Sequence, residues 1–170
     1  RSFQYAWEQK GLGTLAKETL VPHVGERLQD VIRNLGGPFS DEEVTELIKL
    51  YREYSRKHYT GLVSVFPHTG DVLAALRAAG VRTGVVTTMM RRWAVRNLQN
   101  FGLLEYMEAV VGQDDVTHVK PHPEPVEKAL QLLGAERETA LMVGDSRSDV
   151  LAARAAGVRS AAVGWSVKNR

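Results

Sequence analysis

Apolar residues recur through the first sixty positions at the spacing of one face of a helix. Phe3, Ala6 and Trp7 form the first such set, and Gly11 to Gly13 break it. Thr14 is placed to cap a second short helix, and Pro22 and Gly25 punctuate the stretch after it. Leu28, Val31, Ile32 and Leu35 form the next stripe, which stops at Gly36, Gly37 and Pro38. Ser40 and Glu43 have the spacing of a capping box, in which each reaches back to an orphan backbone donor of the other. Val44, Leu47, Ile48, Tyr51 and Tyr54 then run along one long helix. Residues 1–64 are therefore expected to be all helical.

Past Gly61 the period changes. Pro67 and Thr69 introduce a helix through Leu73, Leu76 and Ala79, Gly80 ends it, and Val81 to Thr87 read as a strand. A helix from Arg91 to Asn100, a strand over Glu108 to Gly112, a helix from Pro125 to Gly134 and a strand over Leu141 to Gly144 come next. Ser146 or Ser148 is placed to cap the next helix, Gly157 stops it, and Val158 to Trp165 hold a last strand. Leu141, Met142 and Val143 do not alternate with polar residues, which predicts a strand buried on both faces. Alternation of helix and strand predicts a parallel sheet of right-handed crossovers over residues 65–170, with the boundary near Val63 to Pro67.

Composition narrows the function classes. With 44% hydrophobic residues in 170, the chain has ample material for a core. Its 22 basic and 20 acidic residues leave a net charge of +2, too even and too scattered for a nucleic-acid binder. The absence of cysteine excludes a disulfide framework, a thiolate zinc site and a cysteine nucleophile, and it fits a cytoplasmic location. No apolar run approaches the roughly 18 residues of a membrane span, so no membrane association is expected.

Polar residues stand where successive strands of the α/β segment should end. Thr87 and Thr88 close the first strand, Lys120 lies in the VKPHPEP loop after the second, and Asp145 closes LMVG. Ligands of open α/β sheets collect at that edge. A hydroxyl with free backbone amides, an ammonium and a carboxylate able to hold a hard cation are the groups that phosphate chemistry needs.

On these residues the sequence resembles the haloacid dehalogenase superfamily of phosphatases. Thr87 matches that family's second motif, Lys120 in KPHPEP its third, and Gly144-Asp145 with Asp149 in GDSRSD its fourth. Within it, VVTT, DDVTHVKPHPEPVEKALQLL and ALMVGD are most similar to the phosphoglycolate-phosphatase branch. The resemblance covers essentially the whole chain and implies a Rossmann-like parallel-sheet core with an inserted all-helical cap. It implies that Thr87 and the amide of Thr88 hold a phosphoryl oxygen and that Lys120 stabilises charge on nucleophile and phosphate. It further implies that Asp145 ligates Mg²⁺ and that Asp149 acts in the metal's outer shell. Gly25, Glu26 and Arg27 resemble the family's substrate-specificity loop, with Arg27 the substrate-facing residue. The implied activity is Mg²⁺-dependent hydrolysis through an aspartyl-phosphate, with pyrophosphate the first expected substrate and 2-phosphoglycolate the second. A monomer or weak dimer is expected.

One departure is severe. The family draws its nucleophile and acid/base from a strand ending D-x-D-x-T, and none of Asp30, Asp41, Asp71, Asp114 or Asp115 stands in that context. The expectation is that the 170 residues begin after that motif, that the central strand lies outside them, and that they do not turn over alone. The chain is also expected to stop short of its relatives' ends, after AAVGWSVKNR. A non-catalytic phosphate- or metal-binding fragment is the alternative from another class.

Other signals read as ordinary. His118 and His122 stand four apart, but Pro121 and Pro123 forbid the helix that would pair them, so they read as loop histidines. Arg91, Arg92 and Arg96 around Trp93 read as a solvated helix face with the indole packed inward, although Arg91 or Arg92 could approach an anionic substrate. Arg52, Arg56, Lys57 and His58 add positive charge to the long helix.

Overall fold

The computed structural model describes residues 1–165, apart from the side chains of residues 59–62; Ser166 to Arg170, which close the AAVGWSVKNR segment, lie outside the described residues. The chain forms two compact units, Arg1–Ser64 and Val65–Arg170.

The first unit holds α1 (Ser2–Gln9), α2 (Lys17–Leu20), α3 (Leu28–Gly36) and α4 (Asp41–Leu62). Its stripes close on one another: Ala6 and Trp7 of α1, Ile32 of α3, and Val44 and Leu47 of α4 form a buried cluster, ringed by Phe3, Leu28, Leu35 and Phe39. The capping box of α4 is present, with the Ser40 amide donating to Glu43 Oε2 at 2.8 Å and the Glu43 amide to Ser40 Oγ at 3.3 Å. Thr14 does not cap α2. That helix starts later, after Ala16 and without a side-chain cap, and the local tie is instead the Leu15 amide donating to Gln4 Oε1 at 2.8 Å.

The second unit runs α5 (Thr69–Ala78), β1 (Gly84–Val86), α6 (Arg91–Asn100), β2 (Ala109–Val111), α7 (Glu124–Leu133), β3 (Leu141–Gly144), α8 (Arg147–Ala155) and β4 (Arg159–Ala162). The strands are shorter than the apolar runs that predict them, and among the described residues they form two separate parallel pairs. In one, Val85 of β1 stands opposite Val110 of β2; in the other, Val143 of β3 stands opposite Ala161 of β4. Helix α7 packs on β1 and β2 and also meets α8, which covers β3 and β4. Val126 of α7, Ala152, Ala153 and Ala156 of the α8 segment, and Val158 form the core between them.

β3 is not buried on both faces. Met142 packs against that core, whereas Leu141 is 56% and Val143 60% exposed. The reason is geometric: successive strand side chains point to opposite faces, and α8 covers only one. Among the described residues, no helix is long and apolar enough to cross a membrane.

Candidate active site

The carboxyl end of β3 turns into α8 through Gly144, Asp145 and Ser146, and the turn is held by one carboxylate. Asp149 Oδ2 accepts from the Asp145 amide at 3.2 Å, the Ser146 amide at 3.0 Å and Ser146 Oγ at 2.7 Å. Ser146 is the N-cap of α8, and its Oγ in turn accepts from the Asp149 amide at 3.4 Å. The turn leaves no room for a side chain at 144: a Cβ there would lie 2.4 Å from Asp149 Cβ. Glycine is what lets the strand end approach the helix this closely.

The other oxygen of Asp149 faces Lys120. Lys120 Nζ donates to Asp149 Oδ1 at 2.6 Å and to the carbonyl of Val86, the last residue of β1, at 2.9 Å. Lys120 therefore ties the carboxyl end of the first strand pair to the helix that leaves the second. Both side chains are nearly buried, at 10% and 7% exposure. Burial disfavours the charged carboxylate of Asp149, but the Lys120 and Ser146 hydrogen bonds and the ammonium charge outweigh it and hold the carboxyl below its ordinary range.

Thr87 continues the β1 ladder, its amide donating to the Val111 carbonyl at 2.9 Å. Its Oγ1 accepts from the Met89 amide at 3.1 Å, closing a tight turn just past the strand. Thr88, beside it, is half-buried. The Asp145 side chain is exposed, and among the described residues no hydrogen bond or ion pair engages its carboxylate. The structure thus brings Thr87, Lys120 and Asp149 together at one edge, with Asp145 at the tip beside them. Arg27 belongs to the helical unit, where its Nε donates to Asp30 Oδ2 at 2.7 Å.

Arg91 is occupied in the scaffold: its amide donates to Asp114 Oδ1 at 2.6 Å and its Nε to the Val110 carbonyl at 3.1 Å. Arg92 and Arg96 stack on the half-buried Trp93 ring, at 5.2 and 5.7 Å from its centre.

Of the two serines expected to cap α8, Ser146 is the one that does so; the sequence does not say that Asp149 also reaches Lys120. Glu124 carries no signal in the sequence. Its carboxylate accepts from the Thr117 amide at 2.7 Å and the His118 amide at 2.8 Å, folding residues 117–124 into a loop that presents Lys120 inward.

A family profile described as haloacid dehalogenase-like hydrolase matches residues 1–163. The chain belongs to the haloacid dehalogenase-like hydrolase family. It is 40% identical over 154 residues to the pyrophosphatase PpaX of Bacillus cereus (strain AH820), a match spanning 91% of this chain and 69% of that protein. To the PpaX of Bacillus thuringiensis (strain Al Hakam) it is 39% identical, with the same coverage. Among solved structures, one described as a haloacid dehalogenase-like hydrolase from Bacteroides fragilis superposes with a TM-score of 0.89 at 26% identity, over 98% of this chain and 79% of that one. A predicted phosphoglycolate phosphatase from Haemophilus somnus shares the fold, with a TM-score of 0.89 at 20% identity over 97% of this chain and 77% of that one. The Rossmann-like α/β architecture expected from the sequence is thus that of the family.

Proposed function

We propose that this chain forms the larger part of a Mg²⁺-dependent cytoplasmic phosphatase that hydrolyses pyrophosphate, with 2-phosphoglycolate and other small phosphomonoesters as second candidates. The observation that carries the reading is the Lys120 bridge: one nearly buried ammonium, held by Val86 and Asp149, at the edge that also bears Thr87 and the open carboxylate of Asp145. The pyrophosphatase named among its relatives supports the substrate.

The residues present fit the metal. Mg²⁺ is held by one or two carboxylates together with water and substrate phosphate, and Asp145 offers such an oxygen, exposed and unengaged, while Asp149 is committed to Lys120 and the turn amides. Asp145 is therefore the ligand and Asp149 the residue that positions its loop. When bound, Mg²⁺ supplies charge neutralisation for the phosphoryl group. Lys120 places a second positive charge there, and Thr87 with the Thr88 amide orients a non-bridging oxygen.

The nucleophile is assigned to a D-x-D-x-T strand outside these 170 residues. Its carboxylate oxygen attacks phosphorus, the bond to the leaving phosphate breaks, and that phosphate takes up a proton; water then cleaves the aspartyl-phosphate and regenerates the carboxylate. The exposed Leu141 and Val143 support a place for that strand between the two strand pairs. The helical unit, residues 1–64, is proposed as the cap, with Arg27 as its substrate-facing residue.

The test is Mg²⁺-dependent phosphate release from pyrophosphate and 2-phosphoglycolate, measured on the protein from its complete reading frame beside the 170-residue chain. Activity is expected only in the longer form, and it should fall at least about a hundredfold in Lys120→Ala and Asp145→Ala. Turnover by the 170 residues alone overturns the assignment of the nucleophile. Silence from both forms leaves a phosphate-binding module.

A further inference from the structure

We propose that the loop carrying Lys120 bears a second cation site of different chemistry, in which His118, His122 and Glu124 bind a divalent first-row transition ion of the zinc type. The two imidazole rings lie 4.5 Å apart between centres, tilted by 31° to one another. Glu124 Oε2 lies 3.1 Å from His118 Nδ1 and 4.0 Å from His122 Nδ1. One ring nitrogen from each histidine and one carboxylate oxygen all lie within 4.8 Å of one another. Ligands bound at about 2.0 to 2.2 Å to a common ion stand about 3 to 4 Å apart. Closure onto an ion therefore takes side-chain movements of about 1 Å, which exposed rings can make.

Three features give the cluster the character of a site. The backbone amides of Thr117 and His118 aim the Glu124 carboxylate, the kind of outer support that fixes a metal ligand's orientation. No cation on the loop competes for this carboxylate, because Lys120 is turned inward to Val86 and Asp149. Both histidines are exposed, so an ion can enter and water can fill its remaining positions. Two imidazoles with one carboxylate suit zinc, nickel, copper or ferrous iron, whereas magnesium prefers oxygen alone. The prolines that forbid a helical i, i+4 pair are no obstacle, since the loop itself brings the rings together.

This site is independent of the proposed phosphatase reading, and its test separates the two. Zn²⁺ is titrated by calorimetry into the protein from its complete reading frame, in saturating Mg²⁺ so that the Asp145 carboxylate is already served. One equivalent should bind the parent protein and Asp145→Ala alike. The affinity should fall by about tenfold or more in His118→Ala and again in His122→Ala. With Co²⁺ as probe, the visible absorption of imidazole-bound cobalt should appear in the parent and vanish in the double variant. Both replacements fall on exposed rings, and far-UV circular dichroism verifies that the variants stay folded. Equal Zn²⁺ affinity in the parent and the double variant, or binding that disappears in Asp145→Ala, overturns the proposal.

Discussion

The helical unit and the α/β unit differ in how completely they cover their apolar residues. In the first, the stripes of α1, α3 and α4 face one another, leaving Trp7, Ile32 and Leu47 almost wholly buried. In the second, α5 has no buried residue, and Leu141 and Val143 of β3 are more than half exposed. An amphipathic helix needs partners for one face only, and neighbouring helices of the same segment supply them. A strand from a parallel sheet needs neighbours on both edges and both faces, and those come from distant parts of a chain. The sharpest way to break the helical side of this contrast is Trp7→Ala. Loss of a buried indole touching Phe3 and Phe39 should cost about 4 kcal/mol. Urea unfolding followed by far-UV circular dichroism measures it, and a loss below about 1 kcal/mol would mean that this core holds little of the unit's stability.

The α/β unit has its own internal tie, and it is ionic. Lys120→Met should cost about 3 kcal/mol, because it strands a buried carboxylate that keeps only the Ser146 hydroxyl and two turn amides. Asp149 has a lower pKa folded than unfolded, so the folded state binds fewer protons at acid pH. Its contribution is complete above the unfolded value of about 3.9 and is lost as pH falls through the depressed folded value. A series of melting temperatures from about pH 6 downward should therefore show an acid-side decline that is shallower in Lys120→Met. Parallel curves for parent and variant would count against the pair as its source.

The helices and the α/β alternation are legible because their periods are local. The site is legible only in part. Thr87, Lys120 and Asp145 are marked by their place after apolar runs, and Asp149 only by the resemblance of GDSRSD to a family motif. What spacing along the chain does not hold is the third dimension: Lys120 reaches a carbonyl 34 residues away, and Glu124 turns back to amides six and seven residues earlier. The histidines illustrate the same point. Prolines exclude the helix that would pair them, yet a loop pairs them all the same. The exposure of β3 is unreadable for another reason: an apolar run records what a strand is suited to contact, and residues 1–165 supply cover for only one of its faces.

The smallest expected effect tests the contrast between the units most directly. Val143 is 60% exposed, so Val143→Ala in the 170-residue chain removes little buried surface and should change unfolding free energy by less than about 0.5 kcal/mol. If a strand carrying the D-x-D-x-T motif lies between the two strand pairs, the same substitution in the protein from its complete reading frame opens a core cavity. It should then cost about 1 to 3 kcal/mol. Ala152→Gly, in the buried contact of α8 with the rest of its unit, should cost the same in both forms and serves as the control. A small and equal effect of Val143→Ala in both would mean that β3 keeps this face to solvent, and that the added segment packs elsewhere. A large effect only in the longer form would make Val143 part of the wall against which the nucleophile's strand is held.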